Sequence, residues 1–181
     1  TTALFCCTGI LIVPFVRLYT TGITDVDYIQ PVFAVILLTA EAVNCLILPC
    51  ASLPIAANHI RQTKWGAYGE AAINVLLSCL LIQWDPLMGV ALGTLIATLF
   101  RGVFYMIYSS RHILRVPAYR SILVLLGALL LLEAGIVGGD HLIAHVEIGN
   151  YLQWILWGAV TFASVSVPIG AAAYFGMKRR S

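Results

Sequence analysis

The sequence predicts an all-α fold, a polytopic membrane helix bundle of about six transmembrane helices. Three observations predict it. Of 181 residues, 61% are hydrophobic and 10% are charged, a balance that soluble domains do not show. Apolar runs with few charges recur along the chain, each close to the roughly 20 residues a helix needs to cross a bilayer. Between these runs, basic and acidic connecting segments alternate. Helices follow because lipid offers no hydrogen-bond partners, so each spanning segment must satisfy its own backbone.

The first span, 3–19, has no basic segment ahead of its apolar run and so does not read as a signal peptide. It reads as the continuation of something larger, either a fragment or a trimmed chain. The second, 30–57, opens on Pro31, and the fourth, 86–109, opens on Pro86; at a first helical position the missing N–H costs nothing. The third covers 65–84, the fifth 119–138 and the sixth 151–177. Pro14, Pro49, Pro54 and Pro168 fall inside or near the ends of spans, where kinks are expected. In the fourth span Gly89, Gly93 and Ala97 recur every four residues. That stripe predicts close helix packing and has no likeness to a Gly-rich phosphate loop.

Lys and Arg accumulate in cytoplasmic loops. Arg61 and Lys64, then Arg111, Arg115 and Arg120, then Lys178, Arg179 and Arg180 form one set of segments. Asp25 and Asp27, then Asp85, then Asp140 and Glu147 form the other. The alternation predicts a multi-pass protein of the cell membrane with both termini cytoplasmic. Trp65, Tyr68, Tyr119 and Tyr174 then mark the inner interface, and Trp84, Tyr151, Trp154 and Trp157 the outer one. A net charge of +2 does not suit a nucleic-acid partner. The five cysteines all lie in apolar runs, which predicts small buried side chains and neither disulfides nor zinc.

Ionisable groups at membrane depth are costly and usually face protein or a wet cavity. Glu41 and Asn44 in the second span, Glu70 and Asn74 in the third, and Arg101 in the fourth qualify. Spacings of three and four put each acid and its amide on one helix face. The third and fourth spans are joined by a short "WDP" turn and must be antiparallel neighbours, so Glu70 and Arg101 are expected to pair. The alternative is a lone Arg101 reaching for the interface, with Glu70 solvated near the headgroups. Glu41 reads as part of a polar cavity for a hydrophilic substrate or coupling ion, the alternative being an interhelical hydrogen bond from a protonated acid. Two loop groups, Asp25 with Asp27 and "DHLIAHVE" (Asp140, His141, His145, Glu147), resemble metal sites superficially. The first has no supporting ligands and the second no rigid enclosure, so solvated loops explain both and no metal or cofactor is expected.

The runs "PFVRLYTTGITDVDYIQPVFAVILLTAEAV", "AANHIRQTKWGAYGEAAINVLLS" and "GVALGTLIATLFR" resemble the C-terminal half of the oligosaccharide (polysaccharide-repeat) flippases. These belong to the multidrug/oligosaccharidyl-lipid/polysaccharide exporter superfamily. The likeness covers about residues 10–110. Its most specific part is Gln62, Thr63, Glu70, Ala71 and Asn74, followed by Gly89, Gly93, Thr94 and Arg101. It implies that residues 1–110 are four helices of the C-terminal transport lobe of a two-lobe flippase, and that 111–181 are two additional helices with a basic tail. It implies export of lipid-linked sugar repeats by alternating access, without catalysis. Arg17 and Arg101 would serve the phosphates, and Glu41, Asn44 and Asn74 the sugar hydroxyls or a coupling ion, sodium or proton. Glu70 would hold Arg101. The implied partners are membrane lipids, the lipid-linked sugar, and a missing N-terminal lobe or partner chain, because a partial lobe has nothing to rock against.

A multidrug exporter of the same superfamily would have the same helices with more acid and aromatic cavity residues; Arg17 and Arg101 argue mildly against it. An integral membrane enzyme of polysaccharide assembly would need catalytic His and carboxylates grouped at an interface, and only the "DHLIAHVE" segment approaches that. A non-catalytic assembly subunit is the third reading.

Overall fold

A computed structural model describes the backbone of residues 2–23, 28–115, 117–143 and 150–178, with side chains described except at 140–143 and 168–178. It contains six α-helices: α1 (Thr2–Tyr19), α2 (Pro31–Ala56), α3 (Ile60–Leu81), α4 (Pro86–Ser109), α5 (Ala118–Ile143) and α6 (Tyr151–Lys178). No strand occurs among the described residues. Four stretches, Thr2–Tyr19, Pro31–Ala56, Pro86–Leu114 and Ala118–Gly139, are long and apolar enough to cross a membrane. The chain is thus an all-α membrane helix bundle. The acidic loop pair Asp25 and Asp27, the side chains of the "DHLIAHVE" group and the basic tail lie outside the described residues.

The chain divides into two compact units, residues 35–129 and residues 1–34 with 130–181. In the first unit, α2 ends on Asn58, whose φ of 57° is left-handed. Asn tolerates that conformation better than most residues. The turn lets His59 N–H reach the Pro54 carbonyl at 2.7 Å and Asn58 N–H the Ile55 carbonyl at 3.1 Å, satisfying the end of α2 as a Schellman motif. The chain then turns at once into α3.

That helix starts at Ile60, ahead of the expected residue 65. Arg61 and Lys64, expected in a loop, therefore sit in its opening turns. A helix that projects past the hydrocarbon tolerates basic residues there, because their stems lie along apolar surface while their charges reach water.

The "WDP" turn reverses the chain between α3 and α4. Asp85 caps α4, its Oδ1 accepting from Leu87 N–H at 3.0 Å and Met88 N–H at 3.1 Å, and Pro86 follows at the first helical position. The stripe of small residues is where α4 meets α3. A Cβ on Gly89 would lie 2.6 Å from the Leu81 carbonyl carbon, and one on Gly93 would lie 3.1 Å from Ser78 N. Reciprocally, Phe104 and Phe100 of α4 fill the space over Gly66 and Gly69 of α3. Val43 and Ile47 of α2, Met106 of α4 and Leu125 of α5 form this unit's buried core, with Gly102 set directly against Ile47. The end of α4 loosens into a π-helical turn, Ser110–Leu114, closed by left-handed Arg115.

In the second unit, α1 continues through Pro14. Proline has no N–H for the carbonyl one turn back, and beside that site the Leu11 carbonyl accepts from Trp154 Nε1 of α6 at 3.1 Å. Trp154 also packs on Phe15 with ring centroids 5.2 Å apart, and with Trp157 it covers Ile10 and Leu11. Both tryptophans are half-buried. Trp65, Tyr68, Trp84, Tyr119 and Tyr151 are exposed. Gly135 and Gly139 of α5 accommodate Cys6 and Ile10 of α1. That packing accounts for α5 continuing past Gly138, where the fifth span was expected to end.

All five cysteines are free. Cys6 and Cys7 are buried as expected, whereas Cys79 is exposed, a correction to the expectation that all would be interior. It follows from the outward face of α3, which Cys79 shares with exposed Val75, Leu76 and Leu80.

Candidate functional site

Three helices of the 35–129 unit bring polar side chains together, and two of them, α2 and α4, lie within stretches long and apolar enough to cross a membrane. Glu70 lies ten residues into α3, about 15 Å along its axis. Arg101 precedes the end of α4 by eight residues, about 12 Å, and Asn44 is near the middle of α2. Glu70 is therefore not one turn from a helix end, as a start at residue 65 implied.

Arg101 Nη1 donates to Glu70 Oε2 at 3.0 Å, and Arg101 Nη2 donates to Asn44 Oδ1. The side chains of Arg101 and Glu70 are 27% and 21% exposed, so the pair is largely withdrawn from its surroundings without being sealed. Arg101 Nε is buried and has no hydrogen-bond partner among the described residues. A guanidinium presents five N–H donors in a rigid fork. With two directed at Glu70 and Asn44, the group is fixed in place and still has donors left for an oxygen-rich anion.

The remaining expected residues do not join this cluster. Asn74 is half-buried, and its Oδ1 accepts from Ser78 Oγ on its own helix at 3.1 Å. Glu41 is exposed and has no hydrogen bond or ion pair among the described residues. Its expected face-sharing with Asn44 fails for a geometric reason: three helical steps leave side chains about 60° apart. That offset suffices to turn Asn44 toward α4 and Glu41 away. Arg17 is exposed in the last turn of α1, where a cation favours the helix dipole; it belongs to the other unit.

Two polar groups were missed by the sequence reading. Glu133 lies inside α5; an acid amid leucines is the kind of signal that marks Glu41 in the sequence. At the end of α4, Tyr108 Oη and His59 Nδ1 are 3.1 Å apart, and the His112 ring stacks on Tyr108 at 4.6 Å. No spacing rule reaches from residue 59 to residue 108. Among the described residues, no group of three or more His, Cys, Asp or Glu is placed to hold a metal ion.

The chain matches no family model, no curated protein and no solved structure.

Proposed function

We propose that this chain is part of a membrane flippase that exports lipid-linked oligosaccharide or polysaccharide repeat units by alternating access. The observation that carries the reading is the Arg101 guanidinium held at membrane depth by Glu70 and Asn44. An arginine is costly in that position, and a cation fixed there with unused donors suits the phosphates of a lipid-linked sugar. The resemblance of residues 10–110 to the oligosaccharide flippases adds support, since it includes Glu70 and Arg101 among its most specific positions.

In this reading Arg101 meets the diphosphate, and Glu70 acts through Arg101. Asn44, Asn74 and Glu41 serve sugar hydroxyls or a coupling ion, sodium or proton. The outward-facing Glu41 is then completed by a further lobe, on the same or another chain, against which this one rocks. In this reading both termini are cytoplasmic, which the alternation of basic and acidic connecting segments supports. The chain has no catalytic role.

The test is translocation of a fluorescent polyprenyl-diphosphate sugar in proteoliposomes containing the protein with its other lobe. Arg101→Ala should lower the rate at least tenfold with normal insertion, and Arg101→Lys should recover only part of it, because a point charge cannot reproduce the fork. A wild-type rate for Arg101→Ala would reject the reading.

A further inference from the structure

A cleft of about 280 Å³ opens in the 35–129 unit, away from the Arg101 cluster and sharing no residue with it. One wall is a single face of α5: Ser121, Val124, Leu125 and Ala128, at the three- and four-residue spacings that align side chains along a helix. Leu46 and Cys50 of α2 and Met106 of α4 complete the lining. The walls are apolar except at one end. There Arg120, exposed in the first turn of α5, lines the cleft next to Ser121. Neither the Arg120 guanidinium nor the Ser121 hydroxyl has a hydrogen-bond or ion-pair partner among the described residues. From Arg120 to Ala128 the wall runs about 12 Å along the helix, and Val124 on its rim is exposed, so the slot is open to lipid along its side.

We propose that this cleft binds an anionic phospholipid of the surrounding bilayer, with an acyl chain lying along the α5 wall and the phosphate at Arg120. Complementarity argues for that occupant. The slot is apolar along its length and cationic only at Arg120, two residues into a stretch, Ala118–Gly139, long and apolar enough to cross a membrane. Basic residues between transmembrane helices are a recurrent way of holding anionic lipid. The N-terminus of α5 adds its own partial positive charge beside Arg120. A second copy of the chain or a further lobe would place protein against the apolar wall but would not require an anion at Arg120. The proposal is independent of the transport reading, because none of the residues assigned to substrate lines the cleft.

Native mass spectrometry of the full chain, released from detergent containing phosphatidylglycerol or phosphatidylcholine with matched tails, tests it. The wild type should retain phosphatidylglycerol about tenfold better, the worth of one charge-assisted contact. Arg120→Gln should bring the two lipids within about twofold, while Arg111→Gln, an equal change of charge on the neighbouring turn, should preserve the preference. Ala128→Phe should reduce retention of both lipids. If that variant does not fold, Val124→Ala, at an exposed position of the same wall, should reduce both about threefold. Glycerol phosphate should not displace the lipid. Unchanged selectivity in Arg120→Gln, equal loss in Arg111→Gln, or displacement by glycerol phosphate would overturn the proposal. So would dimerisation that blocks lipid retention, or a preference for polyprenyl phosphate through the same residues.

Discussion

The Arg101–Glu70 pair lends itself to a double-mutant cycle, with Glu70→Gln, Arg101→Gln and the double variant unfolded reversibly by titrating sodium dodecyl sulfate into mixed micelles. At 3.0 Å and an effective dielectric of about 20, the bare attraction is about 5 kcal/mol. Most of it is offset by desolvation, and the 27% and 21% exposure of the two side chains weakens it further. Polar pairs between membrane helices give coupling energies of about 0.6 kcal/mol on average and about 1.7 at most. Ordering by Asn44 puts this pair in the upper part of that range, at about 1–1.5 kcal/mol, roughly a five- to tenfold effect on the unfolding equilibrium. The single variants should be unequal. Arg101→Gln leaves the Glu70 carboxylate uncompensated and should cost about 2–3 kcal/mol, whereas Glu70→Gln leaves Arg101 still bonded to Asn44 and should cost less. Additive effects, with coupling below about 0.3 kcal/mol, would refute the reasoning.

Gly89→Ala should destabilise the chain by about 1–3 kcal/mol, because the new methyl would meet the backbone at Leu81 and Ile82 and backbone cannot rotate aside. Gly127→Ala, with nothing within 4 Å of the new atom, should instead stabilise by about 0.5–1 kcal/mol; the same detergent titration reads both. Trp154→Phe keeps a ring against Phe15 but loses the Nε1 donor to Leu11 and should cost about 0.5–1.5 kcal/mol, with fluorescence of the remaining tryptophans reporting the transition. Glu41→Gln should leave stability unchanged or slightly higher, since an exposed, unpaired carboxylate gives up no contact; a loss above 1 kcal/mol would reveal a partner among residues not described.

Local chemistry made part of this structure legible. The bounds of α4 follow from Asp85 as cap and Pro86 behind it, and its stripe of small residues identified the contact with α3. The start of α3 was misplaced because Arg61 and Lys64 look alike in a loop and in a helix that reaches the headgroups. Gly138 looked like a terminus because packing of α1 on Gly135 and Gly139 cannot be read from local sequence. Proximity of Glu70 and Arg101 followed from a short turn between antiparallel helices, whereas Asn44 as the second partner of Arg101 depends on how α2 lies against α4, which no turn specifies. The same spacing argument that grouped Asn44 with Glu41 failed because a 60° offset separates inside from outside when a helix has neighbours on one side only.

In the proposed flippase, Glu41, Asn74 and the Arg101 cluster face a wet passage completed by a further lobe. Spin labels on Glu41→Cys, Asn74→Cys and Leu76→Cys, in the intact protein in bilayers with native cysteines replaced, test it most directly through collisions with a water-soluble nickel chelate and with oxygen. Positions 41 and 74 should favour the chelate and position 76 should favour oxygen. A lipid-like response at all three would contradict the account.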